Sequence, residues 1–302
     1  MKRMILAAML AAPATLMAQN FDDVEYTVVD VTDGIKMLQA RGGNIGVSYG
    51  DDGVFLVDDQ FAQLTGKLVA TVASFSDQPI RFVVNTHWHG DHTGGNENLG
   101  EAGAVIMAHD NIRERMSADH YSSLFDRTTP ASPEAALPEV TFNDKVTVHL
   151  NGDSVTAYHV HHAHTDGDSI IHFADNNVIH MGDIFFNGLY PFIDRDSGGS
   201  LQGMLAGVDF ALSLCRDGTQ VIPGHGPLTD CNGLSDYRDL LTGARDRVAA
   251  LRDQGMSLEQ TIAAQPNRET DEALGGAFIT PEQFVQFIYR SLEQPPEHVG
   301  RP

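Results

Sequence analysis

Cysteine is nearly absent from this chain: two in 302 residues, Cys215 and Cys231. Neither falls in a CxxC spacing, so nothing points to a cysteine-ligated metal site. Basic residues are scarce, 19 against 41 acidic, and the formal net charge is −22. Such a surface repels phosphate backbones and anionic lipid. The expected partner is therefore a small molecule, with no nucleic acid and no membrane. No apolar run beyond the N-terminus reaches the length of a membrane span. GxSxG does not occur, which removes the commonest serine-hydrolase signature. Disorder is excluded by the 42% of hydrophobic residues, enough to build a core.

The N-terminus reads as an export signal. Lys2 and Arg3 precede a short apolar run over 4–17, and Ala18 is a small residue suited to cleavage. Pro13 interrupts the run, which is too short for an anchor. Residues 1–18 are thus expected to be removed, and 19–302 to form one domain in the periplasm or outside the cell. Without Lys2 and Arg3, 17 basic residues face 41 acidic ones, a net −24. In an exported protein Cys215 and Cys231 could form a disulfide; two free, buried thiols fit the count equally.

What the chain does have is the hexapeptide His87-Trp88-His89-Gly90-Asp91-His92. Four metal-competent side chains fall within six residues. Residues 80–85 (IRFVVN) ahead of it are short, apolar and β-branched, as in a buried strand, and a helix opens from about Asp91. The end of a strand is a common place for a site in an α/β sheet. In an extended segment His87 and His89 point the same way, because side chains alternate with period two. Asp91 and His92 fall past the turn, placed for a second ion beside the first.

Around this motif the pattern predicts a strand meander over 24–58 and a helix over 62–74. A strand follows at 104–108, then a helix capped by Asp110. Residues 117–140, with three prolines and little periodicity, are expected to form a long loop at the rim of the site. Strands are expected at 145–150, 154–160, 168–173, 177–181 and 219–222. Helices are expected over 200–214 and then at about 234–254, 257–264 and 281–292. Strands then helices, twice, predict two packed sheets with helices outside, a four-layer αββα sandwich. Three more candidate ligands stand at strand ends: His164 in AHTDGDS, Asp183 in MGD and His225 in PGHG. Asp58, His161 and His162 are candidates to support ligands from behind.

Taken together, THWHGDHTGGN at 86–96, AHTDGDS at 163–169, MGD at 181–183 and PGHG at 223–226 resemble the metallo-β-lactamase superfamily. The resemblance covers about 24–230. It implies the αββα fold and two zinc ions at the sheet edge. One ion would rest on His87, His89 and His164, the other on Asp91, His92 and His225, with Asp183 between them. It further implies hydrolysis by a water acidified between ions about 3.5 Å apart, with Asp91 as the catalytic carboxylate that orients this water. Two departures stand out. The broad-spectrum zinc β-lactamases carry Cys where this chain has Asp183, and a non-ligand where it has His92. Nor does a Lys follow soon after Asp183 in IFFNGLYPF. The ligand set is closer to the thioester and lactone hydrolases. A hydrolase of cyclic amides or esters, one of thioesters, lactones, phosphodiesters or sulfate esters, and a non-catalytic zinc-binding protein all remain open here.

Overall fold

The computed structural model describes residues 20–293. The expected export signal, residues 1–18, lies outside them. The chain opens with an antiparallel meander, β1 (Thr27–Thr32), β2 (Ile35–Gln39), β3 (Ile45–Gly50) and β4 (Gly53–Val57). Parallel strands β5 (Ile80–Val84) and β6 (Val105–His109) extend it. A separate hairpin, β7 (His120–Ser122) and β8 (Arg127–Thr129), precedes β9 (Val140–Phe142), which pairs parallel to β6 and completes a seven-stranded sheet. The second sheet runs β10 (Lys145–Leu150), β11 (Asp153–His159), β12 (Ser169–Phe173), β13 (Val178–His180), β14 (Gln220–Ile222) and β15 (Thr229–Asp230). All its pairs are antiparallel except β13 with β14.

The period-two alternation of strands sorts the core into layers. Met37, Phe55, Val57 and Val84 point inward and meet Val155, Ile171, Phe173 and Ile222 of the second sheet. Their neighbours Leu38, Val54, Leu56 and Val83 point outward, onto Leu68 and Val72 of α1 (Thr65–Ala73) and Leu99 of α3 (Asn96–Glu101). Between these helices lies the single turn α2 (Gly90–Thr93), and after β6 comes α4 (Asp110–Met116). On the far face, Ile170, Ile179 and Val221 pack on α5 (Leu201–Leu214), α6 (Cys231–Asp253) and α9 (Pro281–Glu293). Both faces of each sheet are buried, so the central strands are continuously apolar rather than alternating. A fully buried Phe55 or Phe173 contributes about 1.5–3 kcal/mol. The result is the expected αββα sandwich.

Several local expectations need correction. Residues 117–140 are not a bare loop. Tyr121 donates to Asp126 across the β7–β8 turn at 2.8 Å, and Ser123 N donates to Asp196 at 2.6 Å, so polar contacts too short-ranged for hydrophobic periodicity build the hairpin. The α4 cap is His109, whose Nδ1 accepts from Asn111 N at 3.1 Å; Asp110 is already helical. α6 starts at Cys231 rather than about 234, because Asp230 accepts from the N–H groups of Asn232 and Gly233. Between α7 (Leu258–Ala263) and α9 stands α8 (Arg268–Leu274), which buries no side chain and so carries no amphipathic signal. Cys215 and Cys231 form a disulfide that ties the end of α5 to the start of α6.

Candidate metal centre

The candidate ligands converge from four chain segments onto one edge of the sandwich. β5 delivers the backbone to His87, and α2 starts with His89 as its N-cap in extended conformation (ψ 146°). His87 and His89 share a side, with ring centroids 4.8 Å apart. Trp88 turns the other way and donates to Ser197 Oγ at 3.2 Å within a small apolar cluster. The single turn of α2 then swings Asp91 and His92 back over the site. His164 comes from the β11–β12 connection, Asp183 from the turn after β13, and His225 from the end of β14.

Their donor atoms form overlapping groups: His87, His89 and His164; His87, His92 and Asp183; Asp91, His92 and His225. His89 Nδ1 lies 2.9 Å from His164 Nε2. His92 Nε2 and Asp91 Oδ2 lie 3.4 Å from His225 Nε2. Asp183 stands between the triads. Its Oδ1 is 3.1 Å from His92, and its Oδ2 is 3.4, 3.7 and 3.8 Å from His225, His164 and His87. Donors around a tetrahedral ion with bonds of 2.0–2.1 Å are spaced about 3.3 Å apart, the spacing found here. His87 Nε2 and Asp183 Oδ1 are buried without a hydrogen-bond partner. Orphaned buried acceptors are costly unless something fills the space between them. The imidazole and carboxylate set fits divalent ions of the zinc type.

Partners behind the ligands aim them. Asp58 closes β4 in a left-handed conformation (φ 65°) and accepts from Thr86 N and Thr86 Oγ1, both at 2.7 Å. Its Oδ2 also meets His92 Nδ1 at 2.8 Å, behind the ring and away from the site. His164 Nδ1 donates to Phe192 O at 2.8 Å, and His89 Nε2 meets Asp194 Oδ2 at 2.9 Å. Each contact leaves the other ring nitrogen for the site. His161 and His162 do not serve this way. His162 Nδ1 donates to Gly198 O at 3.0 Å, and His161 stacks edge-on against His159. Among the described residues Arg195, the nearest Lys or Arg to Asp183 in sequence, makes no ion pair with the ligands; burial and the neighbouring charge of Arg290 lower its guanidinium.

Electrostatics at the cluster favour added positive charge. Burial works against a charged imidazole at His92 and His225, but Asp183 and Asp91 outweigh it. His92 is held well above the usual range and His225 is raised to about 9. Burial raises Asp183 and Asp91, yet the surrounding histidines hold both well below the ordinary carboxylate range. On the other side, burial lowers His164 to about 4 and places His87 well below a free imidazole.

Two glycines make room for this packing, and the sequence reading missed both roles. A β-carbon on Gly43 would overlap the His92 ring, and one on Gly224 would overlap Asp183 Oδ1. Arg41-Gly42-Gly43 showed in the sequence only as a break in the strand pattern. Asp194, Thr86 and Phe192 were also missed. Asp194 lies 105 residues from His89, and no local spacing announces it.

The two-sheet sandwich carries, at one edge, imidazole and carboxylate groups that could hold metal ions. The chain belongs to the metallo-beta-lactamase superfamily, whose family model matches residues 38–229. It is similar in structure to the sec-alkylsulfatase Pisa1 from Pseudomonas sp., with a TM-score of 0.67 and 19% identity over 92% of this chain. The match takes in 51% of the sulfatase, so this chain spans about half that protein's length. It is similar also to a metallo-beta-lactamase from Pontibacter korlensis (TM-score 0.59, 17% identity, 72% of this chain and 99% of that one). The DIM-1 metallo-beta-lactamase gives a TM-score of 0.59 and 19% identity, over 74% of this chain and 100% of the other. At these identities the likeness concerns the fold.

Proposed function

We propose that the chain is an exported hydrolase that holds two zinc ions and cleaves a small cyclic amide or ester. His87, His89 and His164 would hold one ion, Asp91, His92 and His225 the other, and Asp183 would touch both. The observation that carries this reading is the pair of donor triads with Asp183 between them and His87 Nε2 left without a partner. When bound, the ions would acidify a water and supply positive charge for a developing oxyanion. The residues do the rest. Asp91 keeps 28% of its side chain open to solvent, against 6% for Asp183, which supports it as the carboxylate that would orient a water and carry its proton to the leaving group. The Phe186 ring stacks on His225 with an interplanar angle of 9° and fixes its orientation.

A second reading, hydrolysis of a thioester, lactone, phosphodiester or sulfate ester, is supported by Asp183 in place of a thiol. The alkylsulfatase likeness, which covers more of this chain than the β-lactamase likenesses do, supports it too. The test is metal analysis of unchelated protein, followed by a panel of nitrocefin, an acyl-homoserine lactone, a thioester, a bis-nitrophenyl phosphate and an alkyl sulfate. About two zinc ions per chain and turnover of one carbonyl substrate are expected. Trace metal would sink the dinuclear site. Full metal with silence across the panel would favour a non-catalytic zinc-binding protein. Export is supported by the N-terminal pattern and by the Cys215–Cys231 disulfide, since such bonds persist in oxidising compartments. Among the described residues no helix is long and apolar enough to cross a membrane. Mass spectrometry of the cell-derived protein should find a start near Gln19; a soluble cytoplasmic protein that retains residues 1–18 would refute export.

A further inference from the structure

Next to the first triad the protein leaves large aromatic rings in water. Phe125, in the β7–β8 turn, is 48% exposed, and Phe278, between α8 and α9, is 61% exposed. They stack on each other with centroids 5.7 Å apart and an interplanar angle of 29°. Both pack on Phe192, at 5.7 and 6.0 Å. Phe192 in turn stacks on the imidazole of His89 at 5.7 Å and 20°. Three chain segments far apart in sequence thus converge on one continuous aromatic surface that runs from a candidate ligand out to solvent. A folded chain gains by hiding such rings, and contiguous exposed ones mark a surface that binds something apolar.

We infer that Phe125, Phe278 and Phe192 form a shelf for an apolar group of the substrate, an alkyl chain or aryl ring borne on the His89 side of the scissile bond. This rests on the proposed metallohydrolase reading and narrows it to amphiphilic substrates. Continuity with His89 favours a substrate tail over an unrelated partner. The acidic balance of the chain, 41 acidic against 19 basic residues, disfavours an anionic lipid surface.

The test uses alkyl hydroxamates, metal-chelating probes that are not turned over, on zinc-loaded protein. Trp88, the one tryptophan of the chain, has its ring 4.9 Å from that of His89 and supplies a fluorescence signal for binding. Octanohydroxamate is expected to bind about 10- to 100-fold tighter than acetohydroxamate. A methylene fully removed from water is worth about fourfold, and an open shelf covers only one side of the tail. In the Phe125→Ala/Phe278→Ala double variant this ratio should collapse to below about threefold, and Phe125→Leu/Phe278→Leu should restore most of it. Circular dichroism controls for folding. A chain-length effect that survives in the alanine variant, or none in the wild type, overturns the shelf while leaving the metal reading intact. Failure of every hydroxamate to bind overturns both. Co-sedimentation with phosphatidylcholine vesicles, lost in the alanine variant with the hydroxamate ratio unchanged, would reassign the rings to a lipid surface and overturn the inference.

Discussion

Asp194 Oδ2 lies 2.9 Å from His89 Nε2, and on the other side of the same ring Nδ1 faces His164 Nε2 at 2.9 Å. Asp194 is itself pinned, since Ser197 Oγ donates to its Oδ2 at 2.6 Å. The carboxylate therefore decides which nitrogen of His89 enters the site. Removing such a partner usually costs 10- to 100-fold in metal affinity. Asp194→Ala is expected to weaken zinc binding by about that factor, read by competition with a chromophoric chelator. An affinity within twofold of wild type would mean that β5 and α2 alone orient the ring.

The two triads can be separated at Gly43. Its α-carbon abuts the His92 imidazole, so an added methyl group must push that ring away from His225 and Asp183. Gly43→Ala should lower bound zinc from about two ions per chain to about one, with the far-ultraviolet spectrum unchanged. Two ions retained at wild-type affinity would show that β2 and β3 yield instead.

At Asp183 the chemistry of the donor is at stake. A carboxylate has two oxygens and can span two ions, whereas a thiolate binds one zinc strongly through a compact, soft contact. Asp183→Cys is expected to raise nitrocefin kcat/KM relative to the best ester, with zinc content measured in both forms. If both values move together, or nitrocefin turnover falls while the ester holds, Asp183 does not set specificity.

Two histidines outside the cluster set an acid limit on stability. Burial, with help from the charge on His109, pushes His159 down to about 3, and burial pushes His180 down to about 4. Both are neutral in the folded protein but take up protons in the unfolded chain below about pH 6.5. The unfolded state then binds more protons, so their contribution to stability is full above about 6.5 and is lost as the pH falls towards 4. Tm should drop as the pH falls below about 6. His159→Phe, which keeps the stack on His109, should make that drop shallower. A Tm that rises on acidification to pH 5 would contradict the assignment.

Much of this protein was written locally. The strand at 80–85, the turn after it and the hexapeptide are contiguous, so period two alone placed His87 and His89 together and turned Trp88 away. The layers were legible because the central strands are apolar on both faces and the longer outer helices on one. His164 could be picked out because it precedes an apolar strand, and Asp183 and His225 because each follows one, all within turn-forming, glycine-containing segments. Asp58 also stood at a strand end, where β4 stops.

What the sequence determined, then, was the long apolar strands and amphipathic helices and the residues at their ends, since periodicity and turn chemistry act over a few residues. Tertiary structure decided what lies behind and beside those ends. Asp194 reaches His89 across 105 residues, and Gly43 lies against His92, far along the chain from it. Phe125, Phe192 and Phe278 meet from three separate connections. Such contacts depend on how two sheets pack and how loops return over their edge, and no spacing along the chain encodes a distance between segments that only the folded core brings together.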